Sequence, residues 1–474
     1  MQEGSDLLER RYSASTKHSA QNGRSFQSSP TASSGLSGAA TIVSNPQSVL
    51  SNRHSGASVW TLLRWSLRDK ERVESILKSY QLQNKRIHSK IKLWCLASDL
   101  GVNIQHLRRL QNDDNSKRIG FDTDASLKLA QALQDTTLSL ELKGSPWVDH
   151  IRATPISQFN STFSIIDVQG QTLLRETFLF PSHPMVSPLS PTMANIALGT
   201  SLDERMQSKV ESLARLLHQP KELIFRIPHC YGWSFSQQSS AISYFFDVSA
   251  ASTPVGNCWK QTNPLCLSGL LRRSDLKPDL GFKYSLAAKL ATSIAQLHMV
   301  QWLHESFRSD NIVFLAQEGS AGKLDFTNLE PLVLGFEFSR QENDFSDGLP
   351  DYLPARDIYR HPQRQGRPEK RFSKIHDIYS LGVVLLEIGL WEPALSLEKN
   401  NFVTASSGCK IREQLVKQAE RRLDSKVGKK YKEIVVKCLN SDFGVTDDTR
   451  EDLNLQQAFR AQVIDVLERA AESV

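Results

Sequence analysis

The chain of 474 residues is long enough for two or three domains, and its 39% of hydrophobic residues can form a buried core. The net charge of +6 is uneven, since residues 60 to 92 hold nine Lys or Arg against three Asp or Glu. Six widely spaced cysteines, without a C-x-x-C pair, exclude a disulfide framework and a zinc-finger pattern. No secretory signal pattern or membrane-spanning run is present, so we expect a cytoplasmic or membrane-peripheral protein.

Residues 1 to 57 form the first predicted segment, a serine-rich tail. The tail has almost no aromatic residues and no apolar repeat with a period of 2 or 3.6. Such a segment buries too little apolar surface to offset the entropy of the chain, so we expect it to be disordered.

Residues 58 to 145 are predicted to form a basic helical module. Its first part predicts one long amphipathic helix up to Lys92, because apolar residues recur at spacings of three, four and seven: Val73, Ile76, Leu77, Tyr80, Ile87 and Ile91. Two short helices are expected within Ser98 to Asn112. A further helix is expected from Asp124 to Leu142, before Gly144 and Pro146.

Two alternatives remain open for this module. The basic helix could bury its apolar stripe against residues 93 to 142, or lie on an anionic membrane surface through residues 60 to 92. The stretch LASDLGVNIQHLRRL, residues 96 to 110, also mimics a helix-turn-helix with a glycine at the turn. In that interpretation the recognition helix would carry His106, Arg108 and Arg109. A nucleic-acid-binding module is the less favoured alternative, because neither a compact three-helix core nor a dimer is indicated.

Residues 146 to 255 change to a strand pattern. Thr162 to Val168 and Thr172 to Phe180 flank a Q-G-Q turn and predict a hairpin. A proline-rich link follows, with a helical stripe from Leu202 to Leu217 and two more predicted strands, Ile224 to Trp233 and Ala241 to Val248. Residues 256 to 474 are mainly helical, and the whole order predicts an α+β fold with two unequal halves.

Three segments resemble protein-kinase motifs in kinase order. The first is WLHESFRSDNIVFL, residues 302 to 315, in which His304, Arg308 and Asn311 match H-R-D-x-K-x-x-N. The second is LVLGFEFSR, residues 332 to 340, at the position of a strand followed by D-F-G. The third is KIHDIYSLGVVLLEIGLW, residues 374 to 391, which resembles the buried central helix of the large lobe. The resemblance implies a bilobal kinase-like domain with a small lobe at 146 to 255 and a large lobe at 256 to 474.

The same comparison implies that the catalytic groups are degenerate. Ser306 replaces the catalytic Asp, and a hydroxyl cannot act as a general base without a base of its own. The D-F-G position holds Gly335, Phe336 and Glu337, so the metal-binding carboxylate is missing from the first position, and we expect no metal site. Asp377 matches the acid that accepts backbone N–H groups of the catalytic loop, which is a structural role.

Phosphate-binding groups are also weak in the expected small lobe. Gly170 stands alone, without a glycine-rich loop, and the P-E pair is replaced by Pro362-Gln363. Arg175 is the only basic residue on the second strand of the hairpin, and Glu211 on the following helix is its expected partner. If a nucleotide binds at all, the resemblance implies ATP with weak or no magnesium dependence, near Asn311, Glu337 and Arg175.

The function implied by the kinase resemblance is a pseudokinase that acts as a signalling or scaffolding switch with a protein partner. The alternative is an active, atypical Ser/Thr kinase that uses Glu337 or Asp310 as its carboxylate.

The stretch LLRWSLRDKERVESILKSYQLQN, residues 62 to 84, resembles the later helices of the fungal HeLo, or prion-inhibition and propagation, domain. The residues that carry this likeness are Trp65, Leu67, Asp69, Lys70, Val73 and Asn84. The resemblance implies a HeLo-like remnant and a link to heterokaryon incompatibility and regulated cell death. The membrane-active first helices of that domain have no counterpart, because the serine-rich tail stands in their place.

Overall fold

The structure is a computed structural model of the 474-residue chain. It describes residues 69–133, 139–142, 152–155, 162–168, 171–179, 204–236, 241–248, 262–317, 326, 329–336, 340–341, 354–365, 370–397, 408–449 and 451–474. The chain divides into two compact units, Met1–Lys90 and Ile91–Val474. In the first unit the described residues, 69 to 90, contain most of the first helix. The predicted tail, residues 1 to 57, and residues 58 to 68 lie outside the described residues.

The basic module is helical, as predicted. Helix α1 spans Lys70–Ala97, and α2, α3 and α4 span Ile104–Asn112, Asp114–Arg118 and Asp122–Leu133. A 3-10 turn, Asp99–Val102, joins α1 to α2, and a Cβ atom on Gly101 would lie 1.9 Å from the carbonyl oxygen of Leu96. The turn therefore requires a glycine. A small core joins α1, α2 and α4 to the C-terminal helices: Leu93, Leu96, Ala97, Leu107, Ala125, Leu129, Met299 and Leu453.

The helix predicted from Asp124 to Leu142 is too long. Helix α4 ends at Leu133, and residues 139 to 142 are extended instead. The N–H of Trp233 donates to the carbonyl oxygen of Leu140 at 3.1 Å, and the N–H of Leu142 donates to that of Trp233 at 2.8 Å. These backbone hydrogen bonds to a neighbouring strand favour the extended conformation over the local helical pattern.

A five-stranded antiparallel sheet follows, with the order β1-β2-β3-β5-β4. Its strands are β1 Arg152–Pro155, β2 Phe163–Val168, β3 Gln171–Leu179, β4 Cys230–Ser236 and β5 Ala241–Asp247, and helix α5, Glu204–His218, lies between β3 and β4 in sequence. The predicted hairpin is confirmed as β2–β3, with Val168 opposite Gln171. The strand predicted from Ile224 begins only at Cys230, because Leu223–Phe225 forms a 3-10 turn that Arg226 ends in a left-handed conformation.

The remaining residues are mostly helical and form the largest part of the core. The helices are α6 Leu267–Leu271, α7 Leu280–Met299, α8 Pro354–Asp357, α9 Lys374–Leu390, α10 Gly408–Val427, α11 Lys429–Asn440, α12 Leu453–Phe459 and α13 Asp465–Ser473, with a π-helical turn, Arg460–Ile464, before α13. Short strands β6 Thr262–Cys266, β8 Ile312–Gln317 and β9 Pro331–Val333 form one sheet, and β7 Trp302–Leu303 pairs with β10 Arg340–Gln341. The predicted α+β class is confirmed.

Helix α9 is the most deeply buried of the described helices. Its apolar side chains Ile378, Leu381, Val384, Leu385 and Ile388 are at most 1% exposed, which agrees with the predicted buried face. Gly382 lets α11 approach closely, since a Cβ atom there would lie 2.9 Å from the Cβ of Cys438. Within the described part of the chain, no helix combines the length and apolar character needed to cross a membrane.

Candidate functional site

The loop from His304 to Asn311 is anchored to helix α9 by Asp377. One carboxylate oxygen accepts the backbone N–H of His304 at 2.9 Å, and the other accepts that of Glu305 at 2.9 Å. Nε2 of His298 lies 3.1 Å from the first oxygen. Burial alone would raise the pKa of Asp377, but the hydrogen bonds from His298 and His304 outweigh burial and lower it. Asp377 is therefore an ionised anchor for the loop.

Glu305 takes a strained backbone conformation in this loop. Its φ is +61°, in the left-handed region that side chains other than glycine rarely adopt. The hydrogen bond from its N–H to Asp377 holds this conformation. Strain of this kind costs of order 1–3 kcal/mol and persists only where surrounding contacts enforce it.

The polar side chains of the loop bind one another. Nδ2 of Asn311 donates to the carbonyl oxygen of Ser306 at 2.7 Å and to its hydroxyl oxygen at 3.3 Å. The guanidinium of Arg308 also donates to this hydroxyl oxygen. The loop brings Ser306, Arg308 and Asn311 together as an internal network, and all three residues are buried.

His304 is not a base for the Ser306 hydroxyl. Its Nδ1 accepts the backbone N–H of Ser306 at 3.3 Å, and its ring contacts that of Phe336 with centroids 4.8 Å apart and an interplanar angle of 42°. Complete burial lowers the pKa of His304 to about 4, so the ring is neutral at physiological pH. The role of His304 in this loop is therefore to pack against Phe336.

Gly335 and Asn311 are in direct contact. Gly335 has a φ of +86°, and a Cβ atom added to it would lie 1.9 Å from Nδ2 and 2.1 Å from Cγ of Asn311. The backbone also joins the two segments, since the N–H of Leu334 donates to the carbonyl oxygen of Asn311 at 2.9 Å. In this conformation the first D-F-G position has no room for a carboxylate side chain.

The side chain that reaches this region from β3 is acidic. Glu176 is fully buried, and its Oε1 accepts the backbone N–H of Phe336 at 3.0 Å. Arg175, its neighbour, lies on the opposite face of the strand and donates to the hydroxyl of Ser164 at 2.9 Å. Burial lowers the pKa of Arg175. Strand alternation therefore directs Glu176, and not Arg175, toward Phe336.

Arg175 and Glu211 are not brought together as expected. Glu211 accepts the N–H of Leu140 and the indole N–H of Trp233, each at 2.6 Å, and lies 3.5 Å from Arg215 one turn along its own helix. Glu211 therefore joins helix α5, strand β4 and the extended segment at residues 139–142. Its role in the structure is to hold these elements together.

The two carboxylates of the alternative, active-kinase interpretation are Glu337 and Asp310. Glu337 lies outside the described residues. Asp310 accepts the hydroxyl of Ser268, on helix α6, at 2.6 Å. Among the described residues, no group of three or more His, Cys, Asp and Glu could hold a metal ion.

A second buried polar group was missed by the sequence analysis. The hydroxyl of Tyr359 donates to Glu387 at 2.7 Å and lies 2.8 Å from that of Ser309, and the N–H of Ala394 also donates to Glu387 at 2.8 Å. Burial raises the pKa of Glu387 to about 7. The signal was an acid inside the otherwise apolar run L-L-E-I-G-L, together with Tyr359 just before the H-P-Q sequence.

The model of one protein family, described as Domain of unknown function (DUF7580), matches residues 233–473. The match covers just over half of the chain and includes the loop, Gly335 and Asp377, whereas Glu176 and Glu211 precede it. No curated protein matches the chain.

Proposed function

Since the chain belongs to the family described as Domain of unknown function (DUF7580), whose description names no activity, we propose a function from the site itself. The chain is a catalytically degenerate, bilobal protein-kinase-like domain. It acts as a signalling or scaffolding switch rather than as a phosphotransferase.

The contacts of Asp377 support the kinase-like part of this proposal. The resemblance implies that an acid on the central helix accepts backbone N–H groups of the catalytic loop, and Asp377 accepts two of them. A five-stranded antiparallel sheet with one helix, followed by a helical region, also suits two lobes. The ring contact of His304 with Phe336 joins the loop to the D-F-G position.

The contact between Gly335 and Asn311 carries the proposal that catalysis is lost. In a kinase the corresponding Asp and Asn hold the magnesium ions. Here the Asn311 amide donates to Ser306 and fills the space beside Gly335. Loss of a general base typically costs ~10² to 10⁴ in rate, and loss of the metal removes several kcal/mol more of transition-state stabilisation.

The position of Glu176 supports the same conclusion. The buried acidic side chain that accepts the N–H of Phe336 lies where the comparison leads us to expect a phosphate-binding lysine. An acid at this position provides no cation to bind the phosphate oxygens of a nucleotide. Weak or absent ATP binding, without magnesium dependence, follows from this placement.

Nucleotide binding, measured by calorimetry with and without magnesium, tests the proposal. We expect no heat of binding for magnesium-ATP at concentrations where active kinases are saturated, and no phosphate transfer with magnesium or manganese. Phosphate incorporation that disappears in the Asn311→Ala variant would support the active atypical kinase instead. If ATP binds but no phosphate is transferred, the domain would be a switch that responds to nucleotide, and not a scaffold without a ligand.

We also propose that the partner is a protein in the cytoplasm. A domain that keeps a buried polar framework but lacks catalytic groups can still present a defined surface for protein binding. The HeLo resemblance of residues 62–84 suggests a role in incompatibility or cell-death signalling. Co-purification with a defined partner, abolished by substitutions on the surface of residues 146–474, would test this proposal.

A further inference from the structure

Helix α1 exposes a continuous row of large apolar side chains. They are Leu77 at 46%, Tyr80 at 41%, Ile87 at 56%, Ile91 at 49% and Trp94 at 54% exposed. These five residues make up almost half of the large exposed hydrophobic residues found in the described part of the chain. Large apolar residues in one contiguous row mark an interaction surface rather than an ordinary solvated face.

The spacing of this row follows a heptad repeat. Counting from Leu77 as position a, seven successive a and d positions are Val73, Leu77, Tyr80, Asn84, Ile87, Ile91 and Trp94. Six of the seven are apolar, and the sustained 3,4 spacing is the pattern of a coiled-coil seam. Asn84 stands at an a position in the middle of the seam and is exposed. A single Asn at an a position is known to fix register and the number of strands.

We propose that this seam, defined by those seven residues, pairs with the same seam of a second copy of the chain as a parallel coiled coil. A parallel arrangement places Asn84 opposite its own counterpart, where the two amides can hydrogen-bond to each other. The proposal goes beyond the loss of catalysis and does not depend on it.

The charges along α1 permit this self-pairing. In a parallel pair the residues that face each other beside the seam are Asp69 with Glu74, Ile76 with Gln81, Gln83 with His88, and Lys90 with Cys95. The first pair brings two acids together at the start of the helix, whereas each of the other three contains an uncharged residue. Like charges therefore oppose self-pairing only at the N-terminal end of the seam, despite the basic character of the segment.

The same charges argue against a membrane as the occupant of the seam. Most Lys and Arg residues of the helix are at outer positions b and c, about 130° around the helix from the centre of the seam; they are Arg72, Lys78, Lys85, Arg86 and Lys92. A helix that lies on an anionic surface needs its basic residues beside the apolar face, where they reach the headgroups. A second helix needs none of them there.

The opposite face at the end of α1 is already occupied. Leu93, Leu96 and Ala97 are buried in the core of the helical module, and Lys92 lies between two carboxylates. Ile91 and Trp94, which alternate with these residues in sequence, are left exposed. The last turns of α1 therefore bury one face and leave the end of the seam, Ile91 and Trp94, exposed.

Sedimentation equilibrium of the full chain tests the proposal. We expect twice the monomer mass for the parent, and the monomer mass for Ile87→Lys and Ile91→Lys. Ser79→Lys is the matched control, because it adds the same charge at an exposed position on the outer side of the same helix, and it should keep the doubled mass. Since Ile87 and Ile91 are exposed, thermal melts monitored by circular dichroism should show that all variants are folded.

Two further variants test the register. Asn84→Ile should keep self-association and add species larger than two copies, because the residue that restricts the number of strands is gone. Leu77→Cys should form a disulfide-linked dimer with itself, beyond the background of the parent, since a parallel pair places residue 77 opposite residue 77. Crosslinking of Leu77→Cys only to a Trp94→Cys protein would overturn the parallel arrangement.

The proposal as a whole fails if the parent has the monomer mass, or if Ile87→Lys keeps the doubled mass. A monomeric parent that also binds phosphatidylserine vesicles at low salt, and loses this binding in Ile87→Lys, would identify the seam as a membrane surface.

Discussion

The Asn311 side chain fills the space into which any side chain at position 335 would project, at 1.9 Å from the Cβ position of Gly335. A side chain at position 335 and the present conformation of Asn311 thus exclude each other. The amide of Asn311 is turned toward Ser306, which it binds through two hydrogen bonds. A substitution at Gly335 therefore also disturbs the contacts of Asn311 with Ser306.

The first prediction is that Gly335→Asp destabilises the protein and restores no activity. A left-handed backbone costs ~1–2 kcal/mol for a residue with a Cβ atom, and overpacking against Asn311 adds about 1–3 kcal/mol. Urea unfolding should show a loss of roughly 2–5 kcal/mol for Gly335→Asp, and a slightly smaller loss for Gly335→Ala.

Gly444→Ala is the matched control for this prediction. Gly444 has a φ of +69° but no atom within 4 Å of its Cβ position, so it shows the backbone cost alone. The Asn311→Gly substitution should recover part of the loss in Gly335→Ala in a double-mutant cycle. If Gly335→Ala and Gly444→Ala lower the free energy of unfolding equally, the clash with Asn311 contributes nothing to the loss.

The second prediction concerns Asp377→Asn, which keeps the shape of the side chain but replaces one acceptor oxygen with a donor. The N–H groups of His304 and Glu305 cannot both be satisfied by the amide, and each stranded donor costs ~1–3 kcal/mol. We expect a clear drop in melting temperature. Asp114→Asn is the control, because its side chain is 89% exposed. An unchanged melting temperature for Asp377→Asn would contradict the anchoring role.

The third prediction is an acid-dependent loss of stability through His376. Burial, together with the nearby charges of His361 and Arg364, lowers the pKa of His376 from its ordinary 6.5 to about 3. Between these values the unfolded chain binds a proton that the folded chain does not, so this contribution to stability falls as pH falls below 6.5.

Urea unfolding of the parent and of His376→Gln at pH 7 and pH 5 measures this effect. The parent should lose about 2 kcal/mol more than the variant over this interval, since each pH unit below 6.5 is worth ~1.4 kcal/mol per group. Glu387 has a raised pKa, so its own contribution to stability increases as pH falls from about 7 to 4.5. Because Glu387 is present in both proteins, this contribution cancels when the two are compared. Parallel losses in the two proteins would rule out His376 as the source.

The fourth prediction concerns Lys92, which is 4% exposed and lies 2.7 Å from Asp124 and 2.6 Å from Glu222. Burial raises the pKa of Asp124 to about 6, although Lys92 opposes this shift. Lys92→Met leaves two acids without their cation, and such a change typically costs ~3–5 kcal/mol.

The double variant Lys92→Met/Asp124→Leu should recover much of this loss, because apolar residues often replace a buried ion pair at no net cost. Lys117→Met is the control, since Lys117 and Asp114 form an exposed pair 3.5 Å apart, and exposed pairs contribute ~0–1 kcal/mol. The two single variants and the double variant are each compared with the parent in urea titrations at pH 7. If Lys92→Met loses no more stability than Lys117→Met, the buried group of Lys92, Asp124 and Glu222 does not stabilise the fold more than an exposed ion pair does.

The sequence predicted those elements whose apolar pattern is unambiguous. Helix α9 is such a case, because a long apolar run with a single acid near its start has few alternatives. Strand β3 was predicted as an element, but its T-L-L-R-E-T-F pattern is apolar on both faces, so alternation alone did not decide whether Arg175 or Glu176 turns inward. The contact of Gly335 with Asn311 joins residues far apart in sequence and depends on backbone geometry, which a motif comparison does not include.

The backbone hydrogen bonds of Leu140 and Leu142 to Trp233 affect how the protein can be divided for expression. Strand β4 is the last strand of its sheet, and the segment at residues 139–142 covers its free edge. A fragment that starts at residue 146 uncovers this edge, and one that starts at Trp233, where the family match begins, also lacks β1, β2 and β3. Uncovered edges pair with other chains, so both fragments should aggregate, whereas a fragment that begins before residue 139 keeps the edge covered.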